Sequence, residues 1–144
     1  MTRIKIDLPE SADYATEMRV RVGDANYAGH LANNAVLLLA HEARVRFLNE
    51  MGMSEMDAGG AGLIMNDAAV VYEAQAYPGE TLRATVTAKD FGPVGCDMFF
   101  RFTRTSDGKE IARAKTGVVF FDYDKQKIAR VPQAFRDALE KLRA

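Results

Sequence analysis

Between Gly23 and Leu48 the chain reads GDANYAGHLANNAVLLLAHEARVRFL, and its polar residues crowd ahead of the apolar run. Asp24, Asn26, Tyr27, Gly29, His30, Asn33 and Asn34 share one loop, and the only other histidine, His41, follows beside Glu42. A loop that feeds the start of a buried helix meets backbone N–H groups with no intrahelical partner, and the helix dipole adds partial positive charge there. Such an end suits a developing oxyanion or a phosphate. Asn33 and Asn34 are good cap residues. His30 stands just before the helix, so its ring can face the same opening, either as a structural hydrogen-bonding group or as a proton-exchanging one. Glu42 has two readings. It can pair with Arg46 at i+4, worth only ~0.3–0.5 kcal/mol, or face an interior cleft where burial suits a carboxylate to acid–base work. His41, one position round, is expected in core or interface packing.

The elements that would position these groups follow from periodicity. Residues 16–22, TEMRVRV, alternate with Met18, Val20 and Val22 on one face, which predicts a half-buried strand ending at Gly23-Asp24. From Asn33 to Met51 apolar residues cover more than one helical face, which predicts a buried helix closed by Gly52 in a left-handed C-cap. A Gly-rich connection follows at residues 57–62, and the rest reads as strands. LIMNDAAVVYEAQA runs to Tyr77-Pro78-Gly79, TLRATVTAKDF alternates Leu82, Ala84, Val86 and Ala88 inward, and DMFFRFTRT meets KEIARAKTGVVFFDYD across Ser106-Asp107-Gly108, a hairpin signal. Pro132 opens a short C-terminal helix with Phe135, Ala138, Leu139 and Leu142 on its buried side. One long helix followed by antiparallel strands makes an α+β single domain over 1–144, a curved sheet of roughly five strands wrapped around the central helix. A sheet cupping one helix keeps an open edge, which points to a homo-oligomer.

Composition excludes several classes. The 144 residues carry 19 Lys+Arg against 20 Asp+Glu, net −1, so no field favours nucleic acid or an anionic membrane. Cys96 is alone, which rules out an internal disulfide and fits a reducing, cytoplasmic setting; it reads as a bystander in the loop DFGPVGC. No segment has the apolar length of a membrane span and the N-terminus has no signal-peptide core. Two distant histidines without chelating spacing argue against a metal, and the absence of G-x-S-x-G leaves a serine-hydrolase mechanism unsupported. Met51, Met53, Met56 and Met65 cluster after the helix as core, or as the lining of an apolar tunnel.

These residues resemble a family. GDANYAGHLANNAVLLLAHEARVRFL is similar to the signature of hotdog-fold acyl-CoA thioesterases of the 4-hydroxybenzoyl-CoA thioesterase-like group, roughly D-x-D-x-x-G-H-V-N-N followed by a helix with E-x-A-R. Asp24 matches the first aspartate, Gly29-His30 the Gly-His, Leu31 the valine, and Asn33 the first asparagine after one extra residue, Ala32; Glu42-Ala43-Arg44 matches the helix motif. VVYEAQAYPGETLRATVTA resembles the family's Y-x-x-P-x-x-x-G-D-x-L strand pair, and the likeness spans about residues 15–132. The resemblance implies a hotdog dimer or tetramer with active sites at the dimer interface. It implies an acyl-CoA or acyl-carrier-protein thioester as substrate, and no cofactor beyond the CoA that the substrate carries.

One position departs from the pattern. The family's second aspartate, commonly its catalytic carboxylate, is Asn26 here, and an amide is neither a nucleophilic carboxylate nor a general base. D-x-N-Y-x-x-H-L-x-N also resembles a proteobacterial thioesterase-like branch, in which Asn26 would orient water or the thioester carbonyl. The base would then be Glu42, Asp24 or His30, or Asp67 contributed across an interface, unless Asp24 only forms a turn. Tyr27, Gly29, Asn33, Asn34 and Asp67 are the expected substrate-binding residues. Arg19, Arg21, Arg83, Arg101, Arg104 and Lys109 either ring an opening and hold CoA phosphates or decorate solvated strand faces. Asn26 also keeps open a non-catalytic acyl-thioester binding or accessory protein, and a hydratase/dehydratase is a third reading.

Overall fold

Alternating apolar residues determine where most of the strands form. The computed structural model describes residues 1–144, with β1 at Tyr14–Arg19, helix α1 at Ala35–Glu50, β2 at Gly62–Tyr72, β3 at Thr81–Lys89, β4 at Gly95–Arg104 and β5 at Glu110–Asp122. A two-residue strand β6, Lys127–Ile128, and helix α2, Gln133–Arg143, complete it. The sheet is antiparallel in the order β1-β3-β4-β5-β2, and β6 adds to β5 as a sixth strand too short to show any alternation.

Helix α1 packs on one face of the sheet against β1, β3 and β5. Small side chains permit the close approach: Ala40 and Ala43 on the helix and Ala84, Ala88, Ala112 and Ala114 on the strands are all buried. Phe47, Phe100, Phe102 and Phe120 fill the remaining space. Each such burial contributes ~1.5–3 kcal/mol, and cutting one to alanine costs ~3–5 kcal/mol. As the alternation predicts, Leu82, Ala84, Val86 and Ala88 all point inward. Gly52 ends α1 at φ 71°: its N–H donates to Asn49 O at 2.9 Å and the Met53 N–H to Leu48 O at 2.8 Å, a Schellman closure. Helix α2 seals one end of the core through Phe135 and Leu139, and Arg143 ties it to Asp13 ahead of β1.

Four expectations change. β1 stops at Arg19, because the chain coils into a 3₁₀ turn at Val22–Asp24. Met18 and Val20 are buried, but Val22 is left 84% exposed. Helix α1 is not covered all round. A single sheet shields one side only, so Leu38 is 60% exposed and His41 and Glu42 face outward. Met51 and Met53 pack on the core whereas Met56 and Met65 are exposed. Cys96 lies within β4 rather than in a loop, and burial pushes its thiol up to about 12, so it is inert.

The outer strand β2 has an unpaired edge, and Ile64 to Ala68 are exposed along it. A bulge between Met65 and Asp67 breaks its register with β5. Opposite that bulge lies Gly117, where a Cβ would come within 2.6 Å of Asp67 Oδ1, so a side chain there would displace the Asp67 carboxylate. No helix is long and apolar enough to cross a membrane.

Candidate active site

The loop between β1 and α1 is a small closed hairpin. The Asn26 N–H donates to His30 O at 2.9 Å and the Gly29 N–H to Asn26 O at 3.0 Å, with an isolated bridge between Ala25 and Leu31 beneath them. Gly29 sits at φ 82°, where a side chain would be strained although the space around it is open. Asp24 anchors the base of the hairpin. Its carboxylate accepts from the Arg21 N–H at 2.9 Å and from the Arg21 guanidinium at 3.2 and 3.3 Å, while its carbonyl accepts from the Ala32 N–H at 2.9 Å. Burial works to raise the Asp24 carboxyl, but the hydrogen bonds and charge of Arg21 outweigh it and hold it below the usual carboxylate range. Every strong contact of Asp24 is thus internal to the turn.

Beyond β2 the chain returns to this loop. The Leu31 N–H donates to Ala76 O at 2.7 Å, which pins the hairpin to residues 73–77. Between them opens a cleft of about 450 Å³ lined by Asn26, His30, Asn33, Tyr72, Glu73 and Gln75, with Leu31 and Ala74 as its apolar members. A larger groove, of about 760 Å³, runs beside residues 8–13 and contains none of the loop residues.

The polar atoms of the cleft can be sorted into donors and acceptors. Asn26 Oδ1 accepts from the Ala28 N–H at 3.0 Å, and Asn33 Oδ1 accepts from the Asn34 N–H at 2.7 Å. A backbone N–H can only donate, so these contacts fix both amides: each oxygen is committed and each NH2 is free. Asn33 Oδ1 reaches only the neighbouring Asn34 N–H, and Asn34, at the cap position itself, makes no side-chain cap bond. Contrary to the expectation from sequence, neither asparagine caps the first turn of α1. The Tyr72 hydroxyl donates to Asn33 O at 2.8 Å. Gln75 Nε2 lies 3.3 Å from His30 Nε2, and Glu73 lies 3.5 Å from Arg3 in the N-terminal segment.

The sequence-expected residues therefore divide. Asn26, His30 and Asn33 meet in the cleft, with Gly29 forming the turn behind them. Tyr27, 112% exposed, projects from the loop tip. Glu42 lies elsewhere in the chain, in a groove of about 290 Å³ with Arg21, Leu38 and Arg46, and pairs with Arg46 at 3.6 Å. Its side chain is half exposed, so the i+4 pairing and not an interior cleft describes it within one chain. Asp67 sits on β2, bonded to Lys115 and to the Gly117 N–H, both at 2.8 Å, and these contacts hold its carboxyl below the usual range. The basic residues form no ring: Arg19 and Arg21 border the Glu42 groove, Arg83 and Arg101 line a different one, and Arg104 binds Glu80 and Asp107. His41 is on the surface, 2.6 Å from Glu55, and Glu55 also pairs with the buried Arg44 at 2.8 Å.

Sequence reasoning did not single out Tyr72, Glu73, Gln75 and Tyr77 for the site. A signal was available in YEAQAYPG, where Gln75 stands at the proline position of the Y-x-x-P-x-x-x-G pattern.

An antiparallel sheet wrapped on one long helix, with a polar hairpin at the helix start, defines a thioesterase-like hotdog protein. The chain belongs to the Thioesterase-like superfamily, whose family model matches residues 20–139. Its fold is shared by a 1,4-dihydroxy-2-naphthoyl-CoA thioesterase from Synechocystis, at TM-score 0.82 and 23% identity over 91% of this chain and 98% of that one. A DHNA-CoA thioesterase from Staphylococcus aureus aligns at TM-score 0.77 and 17% identity, covering 90% and 89%. A hypothetical protein from the same organism, solved in complex with CoA, aligns at 0.80 and 13%, covering 96% and 87%. No curated protein matches the sequence significantly.

Proposed function

We propose that this chain hydrolyses an acyl-CoA thioester in the cleft between the Asp24–Ala32 hairpin and residues 73–77. The observation that carries this reading is that Asn26 and Asn33, each with an unengaged amide NH2, line the same cleft as His30. A thioester carbonyl is already electrophilic, so hydrolysis needs a polarised carbonyl oxygen and a water with a proton acceptor. The two NH2 groups supply the first, each worth ~10²–10³ in turnover if it meets the oxyanion. His30 supplies the second. Its imidazole takes a proton as water adds to the acyl carbon and returns it to sulfur as the C–S bond breaks, a contribution of ~10²–10⁴. No metal or cofactor enters the step beyond the CoA that the substrate carries.

The assembly that fits this reading is a homodimer, or a tetramer of such dimers. Support comes from the unpaired edge of β2 and from Leu38, Ile64, Met65 and Tyr72, large apolar side chains exposed beside that edge and on α1. A second copy packed there would also bring another Glu42 and Asp67 near a cleft. The cytoplasm, which the single unpaired thiol suits, is the proposed compartment.

Release of CoA from a panel of aliphatic and aromatic acyl-CoA substrates, read by a thiol reagent beside sedimentation equilibrium, tests both parts. Turnover on at least one member by a dimer or tetramer is expected. Tight acyl-CoA binding without CoA release would assign the chain to the non-catalytic binding class.

A further inference from the structure

His30 is held on three sides, and those contacts specify which of its nitrogens carries the proton. Nδ1 lies 3.5 Å from Leu31 O, a carbonyl that can only accept. Nε2 lies 3.3 Å from Gln75 Nε2, which can only donate. The Tyr77 hydroxyl braces the Gln75 amide, donating to Gln75 Oε1 at 3.0 Å when the NH2 faces His30. Tyr77 also meets the imidazole edge-on, with ring centroids 6.4 Å apart. The Gln75 backbone is fixed as well: Arg104, whose side chain is 14% exposed, donates to Gln75 O at 3.0 Å while pairing with Glu80 and Asp107.

We propose that Gln75, held by Tyr77, is a positioning residue that fixes His30 in the Nδ1–H tautomer and turns its unprotonated Nε2 toward the cleft. The Leu31 carbonyl at Nδ1 selects this tautomer, and a Gln75 amide donating to Nε2 is the orientation that matches it. At 3.3 Å the amide is at the outer limit of hydrogen-bond range, so it aims the lone pair without saturating it and a water can compete for it. This deepens the hydrolysis reading and rests on it for its catalytic consequence: Nε2 takes the proton of the attacking water and later passes it to the departing sulfur. An opposite orientation of the Gln75 amide would place Oε1 on His30 and demand Nε2–H, leaving no acceptor facing the substrate.

The test is ¹⁵N NMR of protein labelled at histidine. The chain has two histidines, so a His41→Gln variant assigns the rings. Neutral His30 should show a protonated Nδ1 and a bare Nε2. Gln75→Leu, at an exposed position, should leave the fold intact and mix the tautomers, and Gln75→Glu should move the proton to Nε2. In steady-state CoA release, Gln75→Leu should lower kcat about tenfold with KM within about twofold, and Tyr77→Phe should fall between it and wild type. A wild-type proton on Nε2, or a tautomer indifferent to Gln75→Leu, overturns the assignment. A tautomer that shifts while kcat stays at the wild-type value overturns the positioning role. Wild-type protein that releases no CoA defeats the hydrolysis reading, and with it the catalytic consequence, while the NMR result still decides how His30 is held.

Discussion

Replacing Asn26 by aspartate separates two accounts of the loop. The carboxylate keeps what the amide oxygen does now, because either Oδ can accept the Ala28 N–H that lies 3.0 Å from Asn26 Oδ1. The backbone bonds of Asn26, to His30 O and from the Gly29 N–H, do not involve the side chain. The hairpin should therefore persist, and a charge-assisted acceptor changes stability by no more than ~1 kcal/mol. What disappears is the free NH2. In the proposed site a negative oxygen would then face the position where the thioester carbonyl develops charge. Loss of one such donor costs ~10²–10³ in kcat, equivalent to ~2.7–4 kcal/mol, so Asn26→Asp should lose at least ~10²-fold in kcat while Tm moves by no more than about 5 °C. Asn26→Ala, which loses the donor and the turn contact, should fall as far and melt lower. CoA release and thermal unfolding measure both. Retained or increased turnover in Asn26→Asp would refute the reasoning, since a carboxylate would then serve at a position assigned to a donor.

Other expected outcomes concern the frame that holds the cleft. Gly29→Ala meets no neighbour within 4 Å, so its cost is conformational alone, ~1–2 kcal/mol at φ 82°, visible as a lower Tm. Asp24→Asn should destabilise by ~1 kcal/mol near neutral pH. The amide oxygen can still accept the Arg21 N–H, but the charge assistance and the second acceptor oxygen are lost, while the Arg21 side chain, 75% exposed, is screened and adds little. The Asp24 carboxyl is held low in the fold, so its contribution is complete above its unfolded value and lost as pH falls through the folded one. The gap between wild type and Asp24→Asn in denaturant titrations should close below about pH 4. Glu55→Gln leaves the Arg44 guanidinium, 8% exposed, with a weaker partner; a loss of ~2 kcal/mol is expected, below the ~3–5 typical of fully buried pairs because Glu55 is 29% exposed. The Glu55 carboxyl is also lowered, since the His41 hydrogen bond and Arg44 together outweigh the upward push of burial, so this contribution too fades toward acid pH.

Most of the fold was legible because it rests on local periodicity. The inward set of β3, the limits of α1 between Asn34 and Gly52, and the turn at Ser106–Gly108 all depend on residues adjacent in sequence. What was not legible depends on contacts between distant residues. Arg21 and Val22 continue an alternating pattern, yet the Arg21–Asp24 bonds coil the chain and leave Val22 outside. Leu38 and Glu42 belong to an apolar helix, but whether a flank is covered depends on how much sheet is available to cover it. The site divides in the same way. Asn26, His30 and Asn33 meet because one short hairpin carries them, so sequence proximity was a sound guide. Gln75 reaches His30 across 45 positions, through the bond from Leu31 to Ala76, and periodicity carries no information about such a contact.

The proposed hydrolysis depends on the His30 imidazole accepting the proton of the attacking water in this cleft. Measuring kcat for wild type and His30→Ala on the best acyl-CoA of the panel, at matched thermal stability, tests that claim most directly. A drop of ~10²–10⁴-fold in kcat is the result predicted. Turnover equal to wild type in His30→Ala would contradict it and place the base on another residue, with Glu42 or Asp67 of a second copy next to be replaced.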